Sequence, residues 1–327
     1  MKTKKDKNLF PLFILICILF VASIIILVIL PYQVTRNSND ISESGKSYNR
    51  YHILVTGTTE NEAFLNRLYK GASSVAKEYD AAVDLLVPES HAEDVSLQSL
   101  MDYASFVEAD GVIAYINSTK SGIQQPQDLQ GDVIPLISVG YYDPDLHQVS
   151  FIGTNYSELG QTIAGEIISC LQGKGRVLLI NTNTQNDPNY SVLMNVVTNM
   201  LEQHRNIQLR VMDVKSSTVV SIESSIKKQI VLSDGIDLIV CLSEENTIRI
   251  AQTVTDLNKA GKIGIIGLGE SDEAHTYYEK GIITELISMN PEKIGERAMK
   301  ELFEYKNNGS ANSIIIADVR VLKKESK

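Results

Sequence analysis

Side chains that could bind a small molecule cluster just after the first predicted strand. Tyr51–Thr58 is a short apolar run with β-branched residues, which indicates a buried strand. Thr59–Glu62 then has the Thr-x-x-Glu spacing of a helix capping box, and apolar residues recur at helical spacing after it. In open parallel sheets, ligands bind where such loops leave the strands. We therefore expect a binding cleft lined by Thr59, Glu60 and Phe64.

Loops after other predicted strands also carry hydrogen-bonding groups and aromatic rings, which suit a neutral polar ligand. The further candidates are Asn117, Tyr141, Tyr142, Asn183, Asn189, Tyr190, Ser243, Glu245 and Glu270. Phe64 and Tyr141 would be stacking platforms for the ligand. Simpler interpretations stay open, because Phe64 could be the first core position of its helix and Ser243 a helix N-cap. The Asn-rich stretch 181–190 could equally be only a loop that enters a helix.

The sequence carries no pattern of catalysis or metal binding. The five histidines are scattered without the spacing of a metal site, and Gly-x-Ser-x-Gly and Gly-x-Gly-x-x-Gly motifs are absent. The three cysteines have no C-x-x-C spacing and are typical of buried, inert thiols. We therefore predict a binding protein that is not an enzyme and that has no catalytic residue, metal ion or cofactor.

Length and charge restrict the class of protein further. The chain of 327 residues is long enough for two lobes with full cores. Its formal net charge is -10, which argues against nucleic acid as a partner, because binding to phosphates needs a basic patch.

The first 30 residues have the pattern of a membrane anchor. Residues 1–8 are rich in lysine, and residues 9–30 are free of charge and long enough to span a bilayer as a helix. A cleavable signal peptide is the alternative, but this run is too long and lacks a small-x-small cleavage site. A lipoprotein signal is disfavoured because Ile16 precedes Cys17.

The distribution of basic residues predicts the orientation of this anchor. Lysines before the span and only Arg36 just after it place residues 1–8 in the cytoplasm. The polar residues 31–50 are then a flexible linker, and the remaining chain lies outside the cell membrane as an extracytoplasmic domain. We therefore predict a single-pass membrane protein.

From Tyr51 onward, strand-like and helix-like runs alternate, which predicts an α/β fold with parallel sheets. Their number favours two doubly wound sheets over one. The predicted strands are Tyr51–Thr58, Ala82–Val87, Gly111–Ile116, Ile134–Tyr141, Val149–Thr154, Arg176–Thr182, Ile207–Val214, Ile236–Ser243, Ile263–Leu268, Ile283–Met289 and Ser313–Leu322.

The order of these elements resembles the type I periplasmic binding proteins, which include sugar-binding proteins and whose fold also forms the effector domain of LacI-type repressors. The matching pieces are spread over most of residues 51–322. They include Ala109–Ile113, Pro135–Val139, Phe151–Tyr156 with Gly160, Ile236–Cys241, Lys280–Ile283 and Asn290–Glu292 with Gly295.

This resemblance implies two lobes joined by three crossings that close on a small ligand, usually a sugar. By analogy, lobe 1 would comprise residues 51–141 and 268–308, and lobe 2 residues 149–267 and 313–322. The crossings would fall near residues 142–148, 267–271 and 308–312.

Several residues depart from the family's sugar-binding pattern. An Asp-Arg pair that often follows the Pro135–Val139 strand is replaced by Gly140 and Tyr141. The family's Gly-Phe-Asp turn becomes Gly267–Gly269, which moves the nearest acid to Glu270. Met289 stands where a Gln is usual, and Leu193 where an Arg often grips the ligand. The resemblance thus supports the fold more than it supports a sugar.

Three functions are compatible with these features. The first is a solute-binding protein that captures a small polar molecule of carbohydrate-like character for the permease of an ABC transporter. The second is a ligand sensor that signals to a membrane histidine kinase. The third and most remote is an anchored α/β enzyme. A repressor is excluded, because an apolar run stands where a DNA-binding head would be.

Overall fold

The computed structural model describes most of the chain after residue 49. The described residues are 50–58, 62–87, 96–117, 122–181, 188–213, 224, 227–230 and 235–324. Arg50–Lys327 forms one compact unit. The predicted anchor and linker lie outside the described residues. Among the described residues, no helix has both the length and the apolar character needed to cross a bilayer.

Lobe 1 is built on a six-stranded parallel sheet with the order β11-β5-β4-β3-β1-β2. Helices α1 and α7 pack on one face of this sheet, and α2 packs on the other. The strands are β1 Tyr51–Thr56, β2 Ala81–Leu86, β3 Gly111–Ile116, β4 Leu136–Gly140, β5 Ser150–Thr154 and β11 Ile314–Ala317. The helices are α1 Glu62–Val75, α2 Leu97–Phe106 and α7 Pro291–Asn308.

Lobe 2 has a second six-stranded sheet with the order β12-β10-β9-β8-β6-β7. Only β12 runs antiparallel to its neighbour within this sheet. The strands are β6 Gly175–Asn181, β7 Ile207–Asp213, β8 Leu238–Cys241, β9 Gly264–Leu268, β10 Glu285–Ser288 and β12 Arg320–Lys323. The helices α3 Tyr156–Cys170 and α4 Pro188–Glu202 cover one face, and α5 Glu244–Asp256 and α6 Asp272–Glu279 cover the other.

Two α/β lobes with parallel sheets are thus present as predicted, but the predicted lobe boundaries are wrong. Strand β5 pairs with β4 in lobe 1, whereas the sequence interpretation placed it in lobe 2. Residues 268–288, predicted to belong to lobe 1, include α6 and β10 of lobe 2. The predicted strand 313–322 is two strands, of which β11 joins lobe 1 and β12 joins lobe 2. The chain therefore crosses between lobes at residues 154–156, 288–291 and 317–320.

Glycines allow α1 and α7 to pack unusually closely. A Cβ atom on Gly71 would lie 1.8 Å from the carbonyl oxygen of Glu292, and one on Gly295 would lie 2.1 Å from that of Leu68. Only hydrogen fits at these two positions. The close approach places the polar side of α1 directly beside the N-terminus of α7, which follows the second crossing.

Candidate ligand cleft between the two lobes

The carboxyl-terminal edges of the two sheets face each other. Tyr141, which follows β4 in lobe 1, has its ring 6.4 Å from that of Tyr156 at the start of α3. At the crossings, the hydroxyl group of Thr154 lies 3.6 Å from the sulfur of Met289. These residues follow strands of both sheets, so the loops that usually bind ligands in α/β proteins meet between the lobes.

A polar groove of about 270 Å³ lies at this junction. Lobe 1 contributes the side chains on the first two turns of α1, and lobe 2 contributes the loop between β9 and α6. The lining residues are Glu62, Ala63, Asn66, Arg67, Lys70, Glu270, Ser271 and Asp272. Donors and acceptors from both lobes therefore converge on one recess.

Arg67 bridges the two lobes within this groove. Its Nε atom donates a hydrogen bond to the backbone carbonyl of Glu270 in lobe 2. Its Nη2 atom lies 3.1 Å from Asp272 of lobe 2, and its Nη1 atom lies 3.3 Å from Glu292 of lobe 1. The planar guanidinium group has five donors in a fixed fork, so one side chain can hold three acceptors. Arg67 thus joins the two lobes through charged contacts, which form when α1 and the β9–α6 loop lie close together.

Glu270 ties the β9–α6 loop to the second crossing. Its side chain accepts hydrogen bonds from the Ser288 hydroxyl group at 2.9 Å and from the backbone N–H of Met289 at 2.5 Å. Glu244 in turn accepts backbone hydrogen bonds from Glu270 and Ser271. Burial raises the pKa of Glu270 to about 7, although these hydrogen bonds and Arg67 oppose the shift. The predicted ligand residue Glu270 therefore also supports the hinge.

His275 lies close to the same charged cluster. Its pKa is lowered from the ordinary value, first by burial and then by the positive charge of Arg67. A neutral imidazole beside Arg67 adds no second positive charge to the junction. Within the described part of the chain, no group of three or more His, Cys, Asp and Glu side chains is placed to hold a metal ion.

An aromatic pair forms the wall of lobe 1 at the ends of its strands. The ring of Phe64 packs edge-to-face on Tyr115 with centroids 5.1 Å apart, and both rings border the core under α1. A Cβ atom on Gly140 would lie 3.1 Å from the ring of Tyr115, and one on Gly57 would lie 3.1 Å from its Cβ atom, so these glycines make room for the Tyr115 side chain. Gly140 also has φ of 95°, which side chains rarely tolerate. Phe64 is therefore a packing residue at the edge of the cleft.

The other lobe 1 candidates lie at the ends of strands. Asn117 is exposed directly after β3. Tyr141 donates its backbone N–H to Ile116, and its ring points to lobe 2. Tyr142 packs on Phe151 instead, with ring centroids 5.7 Å apart. Thr59 and Glu60 lie outside the described residues.

The lobe 2 candidates occupy the starts of two helices. Asn189 and Tyr190 are half-buried in the first turn of α4, whereas Asn183 lies outside the described residues. Ser243 is the N-cap of α5 and accepts the backbone N–H of Asn246 at 3.4 Å. Glu245 is exposed and pairs with Arg249 at 2.6 Å. Capping and surface charge pairing account for the last two side chains within the protein itself.

Sequence reasoning missed Arg67 and Tyr115. Arg67 follows Phe64 by one helical turn, so a cation on the polar side of the cleft helix was the available signal. Its partners are more than 200 positions away in the chain, which no local pattern indicates. Tyr115 reads as an ordinary strand residue, and only the glycines opposite it show that its ring lies at the edge of the cleft.

Comparisons with known proteins agree with this geometry. A family model described as a periplasmic binding protein domain matches residues 53–310. No curated protein matches the chain in sequence. Among solved structures, the glucose-galactose binding protein GanP from Geobacillus stearothermophilus is 17% identical with a TM-score of 0.65. That alignment covers 84% of this chain and 98% of GanP.

Two further solved structures have the same fold. The arabinose binding protein AraP from Geobacillus stearothermophilus is 13% identical with a TM-score of 0.68, over 84% of this chain and 96% of AraP. The XylFII-LytSN complex matches with 21% identity and a TM-score of 0.64, over 85% of this chain and 99% of the matched chain. The family and these relatives are solute-binding proteins, which confirms the prediction that the chain is not an enzyme. With most of its length matched by the family model, the chain belongs to the periplasmic binding protein domain family.

Proposed function

We propose that the protein captures a small carbohydrate between its two lobes and presents it to the permease of an ABC importer. The observation that supports this most is the polar groove at the meeting edges of the two sheets, in a member of the periplasmic binding protein family. Relatives of the same fold bind glucose or galactose and arabinose. Neutral sugars need several aimed hydrogen-bonding groups and an apolar or aromatic face, and both lobes offer such groups.

The three crossings make ligand-driven closure the mechanism of capture. A sugar that contacts loops of both lobes stabilises the arrangement in which those loops are close, so binding shifts the population toward the closed state. The proposed sugar contacts are Thr59, Glu60, Asn117 and Asn183, together with Asn189 in the first turn of α4. Arg67 favours closure from the hinge side, because two of its three acceptors belong to lobe 2.

Thermal unfolding of the full-length protein in detergent tests the ligand class. We expect glucose, galactose, xylose or arabinose to raise the melting temperature, whereas amino acids and nucleosides should not. A ligand at 100 times its Kd stabilises the folded state by about 2.7 kcal/mol, which a melting curve resolves readily. A rise with an amino acid or a nucleoside and none with any sugar would contradict a carbohydrate ligand.

We also propose that residues 9–30 anchor the protein in the cell membrane with residues 50–327 on the outer side. The uncharged run and its preceding lysines support this orientation. The full chain should stay in the membrane fraction after alkaline extraction, and protease added outside should digest the region after residue 50. Release by alkaline treatment, or protection from the external protease, would contradict the anchor or its orientation.

A sensing role is the alternative, in which the closed form signals to a membrane histidine kinase. One relative, XylFII, has been solved in complex with a second protein, LytSN, which supports a protein partner other than a permease. The departures at Gly140, Tyr141 and Met289 from the family's sugar residues favour the same alternative. Deleting the gene separates the two roles: loss of sugar uptake indicates import, and loss of sugar-induced transcription with normal uptake indicates sensing.

A further inference from the structure

The two most exposed large apolar side chains among the described residues both lie in lobe 1. Phe106 at the end of α2 is 79% exposed, and Leu129 is 76% exposed. Tyr103 and Val133 are 44% and 51% exposed. Isolated exposed apolar residues are ordinary, but a contiguous patch marks an interaction site.

A hydrogen bond and a groove connect the end of α2, which carries Tyr103 and Phe106, with the segment that carries Leu129 and Val133. The backbone N–H of Gln127 donates to the hydroxyl group of Ser105 at 3.1 Å, which fixes the segment after residue 126 on the end of α2. A groove of about 540 Å³ is lined by Glu108 from the turn after α2 and by Val133 from that segment. The groove continues to the end of α7 at Tyr305.

The segment that carries Leu129 is a rigid turn. Gln127 and Val133 form an antiparallel bridge, and the Asp128 carboxylate accepts backbone N–H groups from Gln130 and Asp132 at 2.9 and 2.8 Å. The backbone N–H of Asp128 also donates to Asp132. These bonds hold Leu129 outward at the tip of the turn, where it contributes nothing to the core. A preorganised apolar anchor of this kind favours binding, because little side-chain and loop entropy is lost on docking.

Acidic residues predominate around these apolar residues among the described part of the chain. Among the described residues from 96 to 149, no Lys or Arg occurs, whereas acidic residues surround the apolar ones. Those acids are Asp102, Glu108, Asp110, Asp128 and Asp132. Lys306 of α7 reaches the groove, but it is held by Asp110, whose carboxylate and backbone carbonyl it contacts at 3.4 and 2.9 Å.

The location separates this surface from the ligand cleft. Asp110 and Pro135 line the groove just before β3 and β4 begin, so the groove lies at the amino-terminal end of the lobe 1 sheet. The cleft lies at the opposite, carboxyl-terminal end. The described chain also starts at the amino-terminal end, because Asp110 donates its backbone N–H to His52 of β1. Residue 50, the first described residue, therefore lies at this end of lobe 1.

We propose that these residues form a docking surface for a second protein, which presents apolar side chains flanked by Lys and Arg. We call it the acidic apolar surface, and it comprises Tyr103, Phe106, Leu129 and Val133 with Asp102, Glu108 and Asp132. The occupant is an extracytoplasmic region of a membrane protein, since the described chain begins at this end of lobe 1 and follows the proposed anchor and linker in the sequence. Charge complementarity excludes an anionic lipid surface and disfavours a second copy of this chain, which has a net charge of -10.

Because every residue of the acidic apolar surface belongs to lobe 1, closure of the lobes leaves it unchanged. The partner therefore binds the sugar-free and the sugar-bound protein through this surface with equal strength. Any sugar-dependent signal must then come from lobe 2 as it moves relative to a partner that is already docked.

Site-specific photo-crosslinking in the cells that make the full-length protein tests this proposal. The photoreactive residue p-benzoylphenylalanine replaces Phe106 or Leu129, and a matched control carries it at Ile316, which is 51% exposed on the edge strand β11 of the same lobe. We expect positions 106 and 129 to crosslink the same membrane protein, with or without sugar, and position 316 not to do so. The crosslinked peptide of the partner should carry Lys or Arg beside apolar residues.

Charge reversal then tests complementarity. Glu108→Lys with Asp132→Lys should lower the crosslinking yield on the order of tenfold, because like charges then face the Lys and Arg of the partner. Equal adducts from position 316, adducts only with lipid or with a second copy of this chain, or no adduct would each overturn the proposal. Phe106→Ser and Leu129→Ser should leave the melting temperature and any sugar-induced rise unchanged, so failure of the docking surface and failure of sugar binding are distinguishable.

Discussion

Two buried glutamates with similar pKa values occupy very different places in lobe 2. Burial raises the pKa of both Glu270 and Glu285 to about 7. Glu270 lies at the hinge, where a hydroxyl group and a backbone N–H donate to its two oxygens. Glu285 lies on β10, away from the crossings, and its Oε2 atom accepts no hydrogen bond from the described residues.

The surroundings of Glu285 are mostly unfavourable for a negative charge. The carboxylate of Glu166 on α3 raises its pKa further, and only Lys323 lowers it through its charge. Lys323 itself lies 3.1 Å from Glu166. The thiol group of Cys170 donates to Glu285 at 3.7 Å, and burial together with Glu285 raises the pKa of Cys170 to about 11.

This difference teaches that a shifted pKa alone does not reveal what a buried acid does. Both carboxyl groups lose hydration on burial. Glu270 accepts hydrogen bonds from Ser288 and Met289 in place of water, whereas Glu285 accepts a hydrogen bond from the thiol group of Cys170 at one of its two oxygens. Removing the Glu270 side chain should leave two donors without an acceptor. Removing the charge of Glu285 should relieve its repulsion with Glu166. The two substitutions are therefore expected to change stability in opposite directions.

Glu270→Ala should have the largest effect, a loss of about 2–4 kcal/mol in the free energy of unfolding. The substitution leaves the Ser288 hydroxyl group and the Met289 N–H without their acceptor, and each buried unpaired group costs about 1–3 kcal/mol. Denaturant unfolding monitored by circular dichroism measures the loss. Glu270→Gln is the matched control, since its amide oxygen can still accept one of the two bonds, and it should lose about half as much. An equal loss in both variants would contradict the role assigned to these hydrogen bonds.

Glu285→Gln should stabilise the protein, and the gain should depend on pH. Because the folded-state pKa of about 7 lies above the ordinary value of 4.5, the native carboxyl group retains its proton when the unfolded one has lost it. The wild-type protein therefore loses stability as pH rises from about 4.5 to 7, and an amide avoids this loss. We expect Glu285→Gln and the wild type to be equally stable at about pH 4.5. Near pH 8 the free energy of unfolding of the variant should be higher by about 1–2 kcal/mol.

Melting curves across that pH range measure the effect of Glu285→Gln. Glu202→Gln is the control, because Glu202 is an exposed residue at the end of α4 in the same lobe. Its stability difference from the wild type should stay within about 0.5 kcal/mol at every pH. If Glu285→Gln were equally stable at all pH values, the repulsion argued for Glu166 and Glu285 would be absent.

Much of the fold could be predicted from the sequence, because strands and helices depend on local patterns. The predicted run Gly111–Ile116 matches β3 residue for residue, and the predicted run Ile207–Val214 exceeds β7 by one residue. The lobe boundaries could not be predicted in this way. A short apolar run such as Ser150–Thr154 contains no information on which sheet supplies its hydrogen-bonding partners. Likewise, an uninterrupted strand pattern over residues 313–322 hides the crossing between β11 and β12.

The candidate cleft was predictable in position but not in detail. The carboxyl ends of strands from the two sheets do meet between the lobes, as the contact of Thr154 with Met289 illustrates. The direction of each side chain depends on contacts distant in sequence, however. Glu270 was an acidic loop residue in the sequence and turns inward because Ser288 and Met289 offer donors. Ser243 caps a helix, and this simpler interpretation was already visible from the acidic residues that follow it.

Arg67→Met should have the smallest effect on stability and a clearer effect on the relative position of the lobes. The carboxylate partner Asp272 is 93% exposed and Glu292 is 48% exposed, so the ion pairs are screened and together contribute below about 1 kcal/mol. The substitution removes the contacts that join α1 to the β9–α6 loop, and we expect a larger radius of gyration by small-angle X-ray scattering without sugar.

Arg67→Lys keeps the charge but cannot hold three acceptors at once, so its radius of gyration should be intermediate. High salt should move the wild type toward the Met variant, because it screens the same pairs. Identical scattering of all three proteins at low salt would mean that the crossings alone set the angle between the lobes, and the hinge would then depend on Glu270 rather than on Arg67.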